Sequence, residues 1–266
     1  MKKAILSHKK YVRLLKLSCA LLALTTQSAL AANNPTDSSS SFWFSAAHPF
    51  SMVFSLSAGP VWTKGGTTQT IYSQPTLERA YIANQQNQTL ASGELFWGVQ
   101  HDLSDLIQAQ VGLAVATTSA ASFSGDIWDD ADPAFDNFTY HYQLRHTHLA
   151  LKGKLIGDLG ALVKPYMSGS AGIAWNRASN YTNTPTIPQA RAMPNFGNHT
   201  STAFTYTIGA GLEYALTSHM EVGLGYEFTD WGKSQLSAAP GQTLNSGLSL
   251  KHTYTNGLLL NITYLI

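Results

Sequence analysis

The chain has 266 residues, with 16 Lys and Arg, 15 Asp and Glu and a single Cys, and its formal net charge is +1. One cysteine excludes a fold held together by intrachain disulfides. No run of about 18 apolar residues follows the N-terminal region, so a membrane-spanning helix is excluded as well.

Residues 1–31 are typical of a secretory signal peptide. A short apolar stretch from Leu17 to Leu24 is followed by Ala29-Leu30-Ala31, which fits a cleavage site between small residues. Removal of this segment takes away Cys19 and leaves 10 basic against 15 acidic residues, a net charge of −5. We therefore expect an exported, acidic mature protein that does not bind nucleic acid. The basic residues that precede the apolar stretch or begin it are Lys2, Lys3, Lys9, Lys10, Arg13 and Lys16.

Residues 32–50 predict a flexible N-terminal segment in the periplasm. Its serine run from Ser38 to Ser41 has the composition of a tether. The aromatic triplet Phe42-Trp43-Phe44 either rests on the lipid interface or packs in an ordinary way, and the sequence does not choose between these alternatives.

Residues 51–266 contain eight runs in which apolar and polar residues alternate. Since a strand directs successive side chains to opposite faces, each run predicts a strand with one apolar face. The apolar members extend from Met52 to Trp62, Leu95 to Val99, Ile107 to Val115, Leu149 to Leu155, Val163 to Trp175, Phe204 to Tyr214, Met220 to Phe228 and Leu258 to Ile266.

The connections between these runs alternate in length. Asp102 to Asp105, Gly157 to Gly160 and Leu216 to His219 predict tight turns. Long polar stretches lie between the other runs, at residues 63–92, 118–137, 176–201 and 230–246. Short turns at one end and long loops at the other are typical of barrels in bacterial outer membranes.

The less apolar face decides between a membrane barrel and a soluble one. A soluble barrel of the lipocalin kind fills its interior with large apolar side chains. Here that face carries Gly209, Gly211, Gly223 and Gly225 together with serines, glutamines and ionisable groups, which do not fill an apolar core. The sequence therefore predicts an all-β, eight-stranded, antiparallel up-and-down β-barrel whose apolar face meets lipid.

Two places depart from the simple pattern. The apolar positions are even from Phe138 to Leu144 but odd from Leu149, which indicates either a one-residue bulge or an upper part standing above the membrane. Leu248, Leu250 and Tyr254 share the parity of the last run, which favours one long final strand. A hairpin turn at Asn256-Gly257, giving a ninth strand, is the alternative.

Aromatic residues lie near both ends of the predicted strands, where they favour the water–lipid boundary. We expect two girdles on the outside of the barrel. They comprise Trp62, Trp175, Phe204, Tyr206 and Phe228 at the loop end, and Tyr214 and Tyr264 at the turn end.

The inward face of four consecutive strands carries charges of both signs. Charges withdrawn from water need partners, so we expect an internal ion-pair network near the turn end. Lys164 and Glu213 fall at matching depths on neighbouring strands. A structural plug is the favoured interpretation, and a gated ion path is the alternative. The predicted members are Lys152, Lys154, Lys164, Glu213 and Glu221.

Other side chains are weaker candidates for chemistry. His146 and His148 share a strand face but have no evident third metal ligand, so we expect no metal and no cofactor. Ser218 and His219 are adjacent, which should direct them to opposite faces, and an enzyme is not expected. A residual alternative is modification of lipid A. Trp128 and Phe135, in an acidic outer loop, are candidate contact residues.

In these features the chain resembles the eight-stranded outer-membrane barrels of the opacity-antigen and OmpA type. The resemblance rests on the final alternating run, the sorting of turns and loops, and the stretch Gly223-Leu-Gly-Tyr-Glu-Phe-Thr-Asp-Trp-Gly232, which looks like a penultimate strand entering the last outer loop. It implies a C-terminal signal for the barrel-insertion machinery, in which Tyr264 matches the family's usual aromatic and Ile266 departs from it.

The resemblance implies an opacity-like or porin-like protein of the Gram-negative cell surface, in contact with outer-membrane lipid and lipopolysaccharide. We expect a plugged barrel whose long loops serve adhesion to host or matrix surfaces, or membrane integrity. A small porin-like channel for ions or small solutes is the alternative.

Overall fold

A computed structural model describes residues 50–158, 160, 162–191 and 193–266. The expected signal peptide and residues 32–49 lie outside the described residues. The strands are β1 (Ser51–Thr63), β2 (Gln69–Gln74), β3 (Leu77–Ala83), β4 (Gln88–Ser104), β5 (Ile107–Thr118), β6 (Ala121–Asp129), β7 (Asp136–Gly157), β8 (Val163–Pro185), β9 (His199–Ala215), β10 (Met220–Asp230), β11 (Ser234–Gln235), β12 (Ser249–Leu250) and β13 (Tyr254–Leu265). A single turn of 3₁₀ helix, Pro133–Phe135, precedes β7.

Eight of these strands close into a ring. The order is β7-β5-β4-β1-β13-β10-β9-β8, and β8 pairs with β7 to complete it. All eight pairings are antiparallel. The predicted eight-stranded antiparallel barrel is confirmed, and every predicted apolar run lies within one strand of the ring except for Ile266, which follows the end of β13.

No helix in the described residues is long and apolar enough to cross a membrane.

The long connections that the sequence presented as loops contain further strands. β6 pairs with the upper half of β7, β3 pairs with β6, and β2 pairs with β3. β7 has 22 residues and β8 has 23, about twice what a transmembrane strand requires. The ring therefore continues beyond the membrane as an extracellular wall made of β2, β3, β6 and the upper halves of β7 and β8.

The change of apolar parity in β7 does not come from a bulge in that strand. Even-numbered residues point inward along its whole length, from Phe138 to Ile156. What changes is the surroundings, because the interior is apolar above the membrane and polar within it. The only register shift between β7 and β8 lies between His141 and Gln143, opposite Asn180, which has a positive φ of 58°.

The final strand is shorter than the sequence predicted. β13 begins at Tyr254, while Leu250 belongs to the short β11–β12 pair and is buried, as is Leu248. The long-strand interpretation is wrong because these leucines pack into the extracellular interior instead of extending the lipid-facing row. The hairpin alternative is wrong as well, since Asn256 and Gly257 both lie within β13 and pair on both sides.

Candidate functional site

The outside of the ring is a continuous apolar band. Its side chains are exposed, while the side chains at the alternate positions of the same strands are buried or only partly exposed, and many of them are polar. Exposed apolar surface of this extent is typical of contact with hydrocarbon, not water. Members of the band include Phe54, Leu56, Leu95, Trp97, Val111, Leu113, Leu151, Ile173, Ile208, Leu212, Leu224, Leu260 and Ile262.

Aromatic side chains flank this band on the same outer surface. At the loop end they form a row, with Phe204 and Tyr206 6.4 Å apart between ring centroids, Tyr206 and Phe228 6.3 Å, and Phe228 and Tyr254 5.7 Å. Tyr254 was not among the residues expected from the sequence. Trp62 and Trp175 are also exposed at the loop end, and Tyr214, Tyr264 and Ile266 are exposed at the turn end.

Inside the barrel, charged side chains lie in successive layers, beginning at the turn end. Lys164 Nζ lies 3.0 Å from Asp158 Oδ2 and 3.6 Å from Glu221 Oε1. Lys164 and Glu213 are direct partners in the β8–β9 register, yet their charged ends bond to other groups. The hydrogen bond to Lys164 lowers the pKa of Asp158, which lies in the turn.

The next layer joins Lys154 to Glu213. Their side chains form an ion pair, and the Lys154 ammonium also lies 4.4 Å from the centroid of the Tyr166 ring. A cation over an aromatic face is attracted by the ring quadrupole. Glu213 is completely shielded from solvent, so this charge depends on its partner.

A third layer places Lys152 between two carboxylates. Its Nζ lies 2.5 Å from Glu94 Oε1 and 2.9 Å from Glu227 Oε2. The five predicted charged residues are therefore distributed over three neighbouring layers. Glu94, Glu227 and Asp158 belong to these layers too. The sequence did not single them out, because Glu94 lies on β4, outside the four consecutive strands, Glu227 lies towards the loop end of β10, and Asp158 lies in a turn.

The space left among these charges is small. A cavity of about 40 Å³ remains beside Glu94, Lys152 and Lys154. A single water occupies roughly 10–15 Å³ on this scale, so the cavity holds a few waters at most. The turn end is wider, with a vestibule of about 360 Å³ lined by Gln100, Lys164 and Glu221 among others.

Above the charges, Trp231 lies across the lumen. It follows β10 directly and is 2% exposed. Its ring centroid lies 5.1 Å from that of His146 and 4.8 Å from that of His148, and its indole N–H donates to Thr255 Oγ1 at 2.9 Å. From the sequence, Trp231 is expected at the start of an outer loop. The available signal was a tryptophan next to a glycine, Gly232, which has a positive φ of 72° in the structure.

Asn176 fixes this layer to the barrel wall. Its amide nitrogen donates to the carbonyl oxygens of Trp231 at 2.7 Å and Lys233 at 2.8 Å, and its Oδ1 lies 2.7 Å from His146 Nδ1. The loop after β10 is thereby held inside the lumen. No group of three or more His, Cys, Asp or Glu within the described part of the chain is arranged to hold a metal ion.

An apolar cluster fills the extracellular interior. It is rich in aromatic rings, with Tyr81 and Phe196 5.6 Å apart and Tyr140 and Tyr181 6.3 Å apart. Burial raises the pKa of Tyr81 to about 12 and also raises the pKa values of Tyr140 and Tyr181. The cluster comprises Val61, Ile71, Tyr81, Leu90, Ala121, Phe123, Ile127, Phe138, Tyr140, Tyr142, Leu144, Ala178, Tyr181, Phe196, Leu236, Leu248, Leu250 and Leu259.

A pocket of about 290 Å³ opens from this region to the outside. Arg79, Tyr81, Tyr181 and Arg191 are among its lining residues. Arg79 Nε lies 2.8 Å from Asp129 Oδ1, whereas the Arg191 side chain is exposed. The pocket thus combines aromatic faces with cationic groups.

The two predicted loop-contact residues differ in exposure. Phe135 is 49% exposed in the 3₁₀ turn between β6 and β7. Trp128 is only partly exposed and lies within β6, opposite Ala80 of β3. Phe135 is therefore the more accessible of the two.

The expected separation of Ser218 and His219 is wrong. Ser218 Oγ lies 2.8 Å from His219 Nδ1, because the two residues lie in a turn, where adjacent side chains are not forced to opposite faces. Both residues are exposed. Among the described residues, His219 forms no ion pair with a carboxylate, whereas a hydrolase triad uses an acid to orient its histidine.

No protein-family model matches the chain, and no curated protein matches it in sequence. Among solved structures, it is similar to Neisserial surface protein A, with 14% identity, a TM-score of 0.39 and coverage of 79% of this chain and 96% of that one. It is also similar to the outer membrane protease OmpT from Escherichia coli, with 8% identity, a TM-score of 0.42 and coverage of 83% and 97%. It is similar as well to the outer membrane protein OprG from Pseudomonas aeruginosa, with 11% identity, a TM-score of 0.38 and coverage of 80% of this chain and 95% of that one.

Closure of the sheet pairs the backbone groups that hydrocarbon cannot solvate. An apolar exterior with a polar, charged interior is typical of barrels in the outer membrane. By these features the chain is an eight-stranded β-barrel protein of the bacterial outer membrane.

Proposed function

We propose that the protein is a non-enzymatic cell-surface protein, in which a plugged barrel holds an extracellular wall and its loops for contact with other surfaces. The observation that carries the proposal is the succession of blocking layers along the lumen. Three charged layers, the Trp231 layer and the apolar cluster lie one above another. An ion in the lumen would have to displace Trp231 and then cross the apolar cluster. The free energy needed to move an ion from water into such an apolar region is as high as for a protein core.

Planar-bilayer recording of the refolded protein tests this proposal. We expect a silent bilayer over a wide voltage range, because buried ion pairs and a packed apolar cluster occupy the lumen in the described part of the chain. Brief, irregular openings at high voltage are compatible with a plug that yields. Steady openings of uniform size in the unmodified protein would contradict the proposal.

A small channel for ions is the second candidate, and one observation favours it. The turn-end vestibule of about 360 Å³ is lined by Lys164 and Glu221 among others, so the lumen is wide enough for water at that end. If the protein conducts, Lys164→Met and Glu213→Gln should alter the unit conductance or the ion selectivity. The lipid-facing variant Leu212→Ala, on the same strand as Glu213, is the control and should alter neither.

The extracellular surface offers two places for contact, the pocket beside Arg79 and Arg191 and the exposed Phe135. Adhesion assays with cells that express the protein test this part of the proposal. Phe135→Ser and Arg191→Gln should each reduce attachment to host cells or matrix. Leu106→Ser alters an exposed apolar residue in a tight turn at the other end of the barrel and should have no effect. Unchanged attachment in all three variants would contradict the adhesive role.

A lipid A-modifying activity would be revealed by mass spectrometry of lipid A after overexpression. We expect an unchanged mass, because the described residues combine no shielded nucleophile with an oriented base and acid. A new lipid A species that disappears in Ser218→Ala, but not in the neighbouring Thr217→Val, would overturn this expectation.

A further inference from the structure

Two arginines face each other on the outside of the barrel, at the top of the apolar band. Arg145 of β7 and Arg177 of β8 are direct partners in the antiparallel register, and both are exposed. The next outward pair towards the membrane is Thr147 with Trp175, and the pair after that is Leu149 with Ile173. The arginines are therefore the first charged cross-strand pair of β7 and β8 above the lipid-facing surface at the loop end.

This arrangement is unfavourable for the isolated barrel. Directly opposite residues have Cβ atoms about 4.5–5.5 Å apart, and like charges at such positions destabilise a sheet. A guanidinium does not lose its proton in a protein, so the repulsion is not relieved by deprotonation. Among the described residues, neither side chain forms an ion pair or a hydrogen bond.

An anion bound between the two guanidinium groups removes the repulsion. Guanidinium groups bind phosphate in a bidentate manner, and two of them on one face can hold opposite edges of the same group. An exposed hydroxyl lies beside them, since Thr200 of β9 is the register partner of Arg177. The surface thus offers cationic donors and a neutral donor to a single phosphate.

The position of the pair identifies the source of the phosphate. The loop end of an outer-membrane barrel lies in the outer leaflet, whose lipid is lipopolysaccharide with phosphates just above the acyl chains. Basic clusters at this depth bind anionic lipid headgroups. We propose that Arg145 and Arg177 form a binding site for a phosphate of lipopolysaccharide, with the acyl chains lying along Trp175 and Ile173. This site is independent of whether the lumen conducts.

Thermal unfolding of the refolded full-length protein in lipid nanodiscs tests the site directly. The probes are lipid A carrying its phosphates and the same lipid A after enzymatic dephosphorylation. We expect the phosphorylated lipid to raise the apparent melting temperature above the value in the dephosphorylated lipid, and native mass spectrometry to retain only the phosphorylated lipid on the protein. Equal melting temperatures together with equal retention would overturn the proposal.

Charge-matched variants localise the effect. In Arg145→Gln/Arg177→Gln the difference between the two lipids should disappear. Lys64→Gln/Lys251→Gln removes the same charge from two other exposed positions and should keep the full difference. If both double variants lose the difference in melting temperature between the two lipids equally, the attraction between the basic protein surface and phosphate is general, and the proposed site is wrong.

The like-charge pair also predicts an effect of opposite sign without lipid A. In a detergent with an uncharged sugar headgroup, Arg177→Gln alone should raise the apparent melting temperature by about 1–3 °C, because it removes a cross-strand repulsion. The same variant should lower it in phosphorylated lipid A. If millimolar inorganic phosphate reproduces the whole effect of lipid A on the unmodified protein, the pair is a generic anion site and the assignment to lipopolysaccharide fails.

Discussion

The ammonium of Lys152 lies 2.5 Å from a carboxylate oxygen of Glu94, although the strands that carry them, β7 and β4, are separated in the ring by β5. The pair therefore spans the inner side of β5 instead of joining neighbouring strands. Because Lys152 also contacts Glu227 of β10 at 2.9 Å, one cation connects three non-adjacent strands.

Replacement of this cation should destabilise the barrel strongly. Lys152→Met leaves two carboxylates without a counter-charge in a nearly water-free interior, and loss of one partner of a buried pair costs about 3–5 kcal/mol. We expect the midpoint of urea-induced unfolding, followed by tryptophan fluorescence in detergent, to fall accordingly.

The matched test neutralises the whole layer. Lys152→Met combined with Glu94→Gln and Glu227→Gln should recover most of the lost stability, since no unpaired charge remains. The exposed Lys64→Met is the control and should leave the midpoint within error. A single Lys152→Met variant as stable as the unmodified protein would show that the layer contributes nothing to folding.

Trp231 should contribute through both packing and hydrogen bonding. Trp231→Ala removes a large buried ring from between the charged layers and the apolar cluster, with an expected loss of about 3–5 kcal/mol. Trp231→Phe keeps a ring against His146 and His148 but loses the hydrogen bond to Thr255, with an expected loss nearer about 1 kcal/mol. Both values are measurable from the unfolding midpoint.

The control for Trp231 lies on the outer surface. Trp97 is 54% exposed towards the lipid, so Trp97→Phe preserves its surroundings and should have little effect. If Trp231→Ala were no more harmful than Trp97→Phe, the inward position of Trp231 would be contradicted.

The backbone at Asn180 predicts a specific tolerance. Its φ of 58° lies in the left-handed region, where glycine and asparagine are favoured over β-branched residues. Asn180→Gly should therefore be close to neutral, whereas Asn180→Val should cost about 1–2 kcal/mol. Equal stability of the two variants would contradict a bulge at this position of β8.

The extracellular tyrosines predict a loss of stability in alkali. Burial raises the pKa of Tyr81 to about 12, against about 10 for a tyrosine in an unfolded chain. The folded state therefore holds its proton at a pH where the unfolded state releases it. The contribution of Tyr81 to the free energy of unfolding is therefore fully present below pH about 10 and is lost as the pH rises towards about 12.

Tyrosinate absorbance measured together with unfolding checks this prediction. The buried tyrosines should ionise late and together with loss of structure, and Tyr81→Phe should make the stability less sensitive to pH in this range. Tyr72 is the control, because it is exposed and its pKa is raised chiefly by its hydrogen bond to Glu78. Tyr72→Phe should leave unchanged the loss of folding stability that Tyr81 causes at high pH.

The transmembrane part was predictable because lipid imposes a strict two-residue period. The parity of Leu224 and Tyr226, or of Leu260 and Ile262, fixes which face meets hydrocarbon, and the structure agrees at each of these positions. Above the membrane that rule no longer holds. Phe138 to Leu144 alternate with the opposite parity because an apolar interior replaces the apolar exterior.

The interior was predictable in part, for a similar reason. Parity states that Lys152, Lys154 and Glu213 point inward, but it does not state how far a long side chain reaches. Lys152 passes β5 to reach Glu94, and Trp231 enters the lumen from a segment that follows its strand. Both depend on closure of the ring, which is a three-dimensional property that no local pattern of residues contains.

In a membrane barrel the outer face of the sheet touches hydrocarbon and the inner face does not. Nuclear Overhauser effects between isoleucine methyl groups and lipid acyl chains, measured on methyl-labelled protein in bicelles, report this contact directly. We predict cross-peaks to acyl-chain protons from Ile173, Ile208 and Ile262, which lie in the outer band, and none from Ile127 and Ile156, which are buried inside. Acyl-chain contacts from the second group, or their absence from the first, would contradict the account.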